Sequence, residues 1–286
     1  MTIVLGTQYY LGSPEAVRRQ RQSLNAIVGL SGVEPINVQW VEDAYAPDGL
    51  ETVAVLKEDS VGVSGLAGRR QPILTEVLDA LATIAEARQR QYFGFFNADI
   101  TVTQSAVETI LGGGKQTYAF SRMDFNEHGD LSIMTAGLDM FAFDVSWWRK
   151  QRRRFRPYIL GEQCYDNVCA AIMMCHGDGL IVNRRGEIRH QVHKTGARGA
   201  FAEYNWYLAT LDALYFSIWV AYWEALTKAR RLGASEEEEL ELQRGMFVLR
   251  PSAWTRIRHT GRCLRAHWRF RRSYRRRIRA TDLGRA

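Results

Sequence analysis

The chain has 286 residues, 46% of them hydrophobic, which is enough for one large α/β domain or a main domain with an appendage and too much for a globally disordered chain. Its formal net charge of +7 is unevenly held: residues 252–286 carry twelve arginines and no lysine against the single acid Asp282, a local +11 that leaves −4 for the rest. That asymmetry excludes a uniformly basic protein and points to a tail with an anionic partner.

Residues 2–5 (TIVL) form an apolar run closed by Gly6 and read as a buried strand. Residues 14–28 have helical spacing, with Ser13 as N-cap and Pro14 in the first turn. Residues 35–41 (PINVQWV) alternate as a second strand, and 49–68 read as loop-rich. A helix over 71–91 presents Ile73, Leu74, Val77, Leu78, Leu81, Ile84 and Ala85 on one face. Residues 92–96 (YFGFF) then make a buried strand that stops at Asn97-Ala98-Asp99. A helix over 103–111 and a strand over 117–122 continue the alternation. It predicts an α/β fold with a mostly parallel sheet, helices on both faces, and a ligand crevice beyond the carboxyl ends of the strands.

Further on, 139–145 is strand-like, 147–155 and 162–175 are helical, and 180–183 with 187–192 read as a closing hairpin around Arg185-Gly186. The small, polar KTGARG segment marks a boundary. The expected division is a main domain over 1–195, a helical extension over 196–251 and a basic tail over 252–286. Residues 200–231 read as one long helix. Asp212 and Glu224 interrupt its Trp-rich part, which argues against a membrane span and for packing on the main domain or on a second copy of the chain. Cys164, Cys169, Cys175 and Cys263 form no CxxC pair and read as reduced thiols. The N-terminus lacks the basic start and long apolar run of a secretory leader, so a cytoplasmic setting is expected.

The sharpest local chemistry is Asn97-Ala98-Asp99. A short amide, a spacer and a carboxylate at the end of an apolar strand suit a divalent cation, Mg²⁺ or Mn²⁺, bridging a diphosphate. Asp99 alone suits equally well an N-cap or an Asx-turn before the next helix.

In its surroundings this segment, YFGFFNADITVTQSAVETIL, resembles the core of the GT-A glycosyltransferases, in which an apolar strand runs into a DxD-like metal motif. Residues 135–143 (TAGLDMFAF) resemble that family's acceptor-side strand, 160–167 (LGEQCYDN) the acidic segment opening the next helix, and 186–193 (GEIRHQVH) the strand bearing a late metal-binding histidine. The resemblance covers about residues 1–195, and Asn97 departs from the first Asp of DxD. It implies a GT-A Rossmann-like fold and transfer of a sugar from a nucleotide-sugar donor to a glycan or lipid-linked acceptor, with Mn²⁺ or Mg²⁺ as cofactor.

The resemblance also implies roles. Asp99 is a metal ligand, and Asn97 binds a ribose hydroxyl or a metal-bound water. By position alone, Thr7 and Gln8 at the end of the first strand and Glu42 and Asp43 at the end of the second are candidates to contact the donor, and Arg69 and Arg70 before the long helix either reach its diphosphate or form a solvated surface pair. Asp139 holds acceptor hydroxyls or, equally well, caps a strand end. In an inverting enzyme Asp166 or Glu162 is the base, the two sharing a face if both are helical, with Asp166 favoured; Glu162 also suits simple pairing with the helix N-terminus. His190 and His193 are both candidate ligands. On one strand they point to opposite faces, so at most one is expected to ligate directly, His193 being favoured.

The tail interleaves arginine with Trp254, Trp268, Phe270 and Tyr274. That composition fits an anionic membrane surface, placing the protein peripherally on its inner face, and it also fits nucleic acid, the less favoured partner. Two competing readings follow: a nucleic-acid-binding protein led by the tail, and a sugar nucleotidyltransferase, whose Gly-rich basic loop GTQYYLGSPEAVRR matches poorly.

Overall fold

The computed structural model describes residues 1–126, 131–135, 137–184, 186–193, 199, 201–246, and 257, 260, 261, 263–265, 268, 271 and 272. The strands are β1 (Ile3–Thr7), β2 (Val33–Trp40), β3 (Glu51–Leu56), β4 (Tyr92–Phe96), β5 (Ile100–Val102), β6 (Thr117–Phe120), β7 (Met123–Phe125), β8 (Leu131–Ile133), β9 (Met140–Asp144), β10 (Gly179–Val182) and β11 (Ile188–Gln191). The helices are α1 (Pro14–Val28), α2 (Ser60–Ser64), α3 (Leu74–Ala87), α4 (Gln104–Gly113), α5 (Val145–Gln151), α6 (Tyr165–His176), α7 (Ala202–Leu211), α8 (Ala213–Arg231) and α9 (Glu236–Arg244).

The main sheet has seven strands in the order β10-β6-β9-β4-β1-β2-β3. All its pairings are parallel except those of β9, which runs antiparallel to both β4 and β6. Phe93, Phe95, Phe141 and Phe143 pack with Trp148 and Phe155 in the larger apolar cluster, to which α3 also contributes. A second cluster is built from Ile3, Leu5, Phe96, Tyr118 and residues of α4. The double burial explains why the strands read as continuous apolar runs. Gly94 sits where strands crowd: a Cβ there would lie 2.7 Å from the Phe141 carbonyl oxygen and 2.7 Å from Leu5.

Several expectations are corrected by tertiary pairing. The segment 49–68 is not loop: it holds the edge strand β3 and the short α2. The pair 180–183 and 187–192 is no hairpin. β10 joins the main sheet beside β6, whereas β11 enters a second, four-stranded sheet ordered β5-β11-β7-β8. The helix expected over 162–175 begins only at Tyr165, so Glu162 lies outside it. The long helix over 200–231 is two helices meeting at Asp212, whose buried carboxylate accepts from Arg156 Nε (2.7 Å) and the Tyr158 hydroxyl (2.8 Å). Phe201, Tyr204, Leu208, Phe216, Trp219 and Tyr222 belong to the larger cluster, so α7 and α8 pack onto the main body. No helix among the described residues is long and apolar enough to cross a membrane. All four cysteines are free, and Cys175 is exposed.

Candidate functional site

One open cavity of about 1340 Å³ gathers most of the candidate residues. It opens at the carboxyl ends of β1, β4 and β6. Because β9 is antiparallel, its amino end, with Asp139, comes to the same edge, and the Asn97 backbone N–H donates to the Asp139 carbonyl at 3.0 Å. The small sheet supplies the rest. In β11, His190 lies in register with Ile100 of β5 on one side and with Asp124 of β7 on the other. Asp99, next to Ile100, is thereby brought against the histidine.

Asp99 is the centre of this cluster. Its Oδ2 lies 3.1 Å from His193 Nε2 and 3.6 Å from His190 Nε2, and one ligand atom from each of the three residues falls within 4.8 Å of the others. Burial works to raise the Asp99 pKa, but hydrogen bonds and charge from His190 and His193 outweigh it and hold the carboxyl at about 2. Both histidines reach the same carboxylate because β11 ends at Gln191 and the alternation of faces ends with it. Asp99 is not a helix cap: β5 follows it, and the residue before α4 is Thr103.

Beneath the cluster runs a polar network. Arg122 donates from Nε to Asp124 Oδ1 and from Nη1 to Asp139 Oδ2, both at 2.8 Å. Asn97 donates to Asp139 Oδ1 at 2.5 Å and accepts the Tyr165 hydroxyl at 2.9 Å. Burial raises the Asp139 pKa against the opposing pull of Arg122.

Asp166 lies in the first turn of α6, after Cys164, which holds a left-handed backbone (φ 78°) that a non-glycine residue rarely adopts. Burial, and then the charge of Asp139, push the Asp166 carboxyl up to about 7. A helix N-terminus alone would lower it, so desolvation wins here. Glu162 is buried in the same cavity, its pKa raised by burial against a hydrogen bond from the Phe201 backbone. Being ahead of α6, it does not share a helical face with Asp166.

At the other end of the cavity stand Thr7, Gln8, Tyr10 and Arg69, with the Arg69 guanidinium 4.1 Å from the Tyr10 ring centroid. Gln8 Nε2 is buried and finds no hydrogen-bond partner among the described residues. Three candidates fall outside the lining. Arg70 pairs with Asp59 at 2.7 Å and stacks on Trp40, and Glu42 and Asp43 are exposed beyond β2.

Sequence reasoning missed Arg122, Asp124, Tyr10 and the role of Tyr165, and it missed Trp206, Trp219 and Trp223, which line the far wall. Arg122 and Asp124 carried one faint signal, a pair of opposite charges just past an apolar strand.

The chain matches no protein-family profile and no curated protein sequence. Among solved structures it is similar to residues 1–349 of S. aureus TarS in complex with UDP-GlcNAc, at 9% identity and a TM-score of 0.51, over 96% of this chain and 92% of that one. The same fragment in complex with UDP aligns over the same shares at 10% identity and a TM-score of 0.50. At such identity what is shared is the fold, which is that of the GT-A glycosyltransferases.

Proposed function

We propose that the chain transfers a sugar from a nucleotide-diphosphate donor to a hydroxyl acceptor in glycan or glycolipid assembly, with a divalent cation at Asp99, His190 and His193 and with Asp166 as the general base. The observation that carries this reading is the presence, in one cavity at the strand ends, of a carboxylate–bis-imidazole cluster and a carboxyl poised at about 7. The mixed oxygen and nitrogen donors suit Mn²⁺ better than Mg²⁺, which keeps to oxygen ligands and water. When bound, such an ion neutralises charge developing on the leaving diphosphate.

The residues of the chain do the remaining work. Gln8, with an unused donor, suits a carbonyl of the nucleotide base, and Arg69 suits the diphosphate. Asp166 takes the proton of the acceptor hydroxyl as that oxygen attacks the anomeric carbon, a single displacement that inverts configuration. Asp139, committed to Arg122 and Asn97, shapes the floor of the site rather than holding the acceptor. The arginine-rich tail is assigned to an anionic membrane surface carrying a lipid-linked acceptor.

The test is a panel of nucleotide sugars, beginning with the UDP-GlcNAc bound by the TarS fragment, assayed for binding and slow hydrolysis with Mn²⁺ and with a chelator. The expected result is Mn²⁺-dependent turnover of one donor, reduced at least about 100-fold in Asp99→Ala without loss of the fold. Absence of any Mn²⁺-dependent donor binding, or normal turnover in Asp99→Ala, overturns the reading.

A further inference from the structure

We propose that Asp124, which does not line the cavity, is the positioning residue of the metal site: it fixes His190 as the Nδ1–H tautomer and so aims the bare Nε2 at the position beside Asp99. The inference rests on the metal reading given above and adds a residue to it.

Asp124 and His190 are register partners on the parallel strands β7 and β11, so their side chains leave the small sheet on one face. His190 Nδ1 lies 2.8 Å from Asp124 Oδ1, and both residues are buried. The same Oδ1 accepts the Arg122 Nε–H at 2.8 Å, and a carboxylate oxygen taking two such contacts acts only as acceptor. His190 Nδ1 therefore carries the proton. In the neutral ring Nε2 is then an acceptor, and it faces Asp99 Oδ2 at 3.6 Å. In the ion-free site a proton on Nε2 can satisfy Asp99, and because Nδ1 is already protonated toward Asp124, that Nε2 proton is the one a cation displaces on binding.

Arg122 gives the clamp its rigidity. Through its other nitrogen it is tied to Asp139, and through Asp139 to Asn97, two residues from Asp99, and on to Tyr165 of α6. One chain of hydrogen bonds thus links His190 on β11 and the turn that carries Asp99 with the helix that supplies the base. In Asp124→Ala the oxygen that accepts from both Nδ1 and Arg122 is gone, so nothing holds the proton on Nδ1 and Nε2 is no longer reserved for the metal. Outer partners of metal-bound histidines typically contribute about 10–100-fold in metal affinity.

The experiment titrates the full-length, metal-free chain with Mn²⁺ alone, following free ion by electron paramagnetic resonance, for wild type, Asp99→Ala and Asp124→Ala. We expect Asp99→Ala to lose binding and Asp124→Ala to bind about 10–100-fold more weakly. Unchanged affinity in Asp124→Ala, with Asp99→Ala defective, overturns the role of Asp124. Unchanged affinity in Asp99→Ala overturns the metal site itself. Should Asp124→Ala fail to fold, the ¹⁵N spectrum of the wild type with diamagnetic Cd²⁺ decides the matter: Nδ1 protonated and Nε2 metal-bound in His190 is expected, and coordination through Nδ1 refutes the proposal.

Discussion

Asn97 and Asp139 close on each other across the edge of the main sheet, side chain to side chain at 2.5 Å and backbone to backbone at 3.0 Å. The contact accounts for the amide where the GT-A pattern has a first aspartate. A second carboxylate at position 97 would face the buried Asp139, which already shares one arginine with Asp124. Asn97→Asp is therefore expected to destabilise the fold. One of the two acids would take a folded pKa raised above its unfolded value, so the penalty is absent at acid pH and complete once the pH exceeds that raised value. Thermal melts of the variant and wild type at pH 5 and pH 8 check this; an equal difference at both pH values refutes it.

For Asp166 the same linkage predicts both rate and stability. As a base it must be ionised, so transfer should fall as the pH drops below about 7, and Asp166→Asn should lose roughly 10²–10⁴ in kcat. Its folded pKa lies above the ordinary 3.8, so its contribution to stability is fully present below that value and is lost as the pH rises through about 7. The Asn variant, which cannot ionise, should consequently gain roughly 1–4 kcal/mol over wild type at pH 8 and little near pH 4. Glu162→Gln, altering an acid outside α6, should show the milder loss in kcat. A variant that is inactive yet no more stable at pH 8 would mean that burial is not what tunes this carboxyl.

Gly94 tests the packing that sets the strand ends in place. Alanine there puts a methyl 2.7 Å from the Phe141 carbonyl and from Leu5, and β4 cannot move away because β1 and β9 hold it on both sides. Gly94→Ala should cost about 1–3 kcal/mol in chemical denaturation, despite the usual gain of replacing glycine in a strand. A neutral result would mean that the sheet relaxes freely at this point.

Deleting the whole tail is a poor test of its partner, because Cys263 is buried and lines the cavity. The interleaved segment around Arg269, Phe270, Arg275, Arg276 and Arg277 lies outside the described residues, except for Arg271 and Arg272. Replacing those six arginines by serine should leave donor hydrolysis intact and weaken binding to vesicles containing phosphatidylserine, by about 1 kcal/mol per charge removed from the surface. The binding should also fade in high salt. Preference of the wild type for RNA over such vesicles at equal salt would instead support the nucleic-acid reading. In the acidic first turn of α9, Glu237 pairs with Arg244 and Glu239 with Arg230.

Short, contiguous stretches carry their structural signals within themselves. The Pro14–Val28 helix and the YFGFF strand are legible because periodicity and capping are local, and Asn97-Ala98-Asp99 stood out because a strand end and its acid are neighbours in the chain. The edge strand β3 escaped notice because its half-exposed residues show no clean alternation, and only its pairing with β2 makes it a strand. The hairpin reading failed for a related reason: two short strands close in sequence have no local feature saying that their partners lie in different sheets. The site followed the same rule. Asp124 and His190 stand 66 residues apart, and no spacing rule joins them. Register between β7 and β11 brings them together. The histidines set against Asp99 hold its carboxyl near 2, whereas burial and the charge of Asp139 lift Asp166 to about 7, and no isolated stretch of sequence encodes either environment.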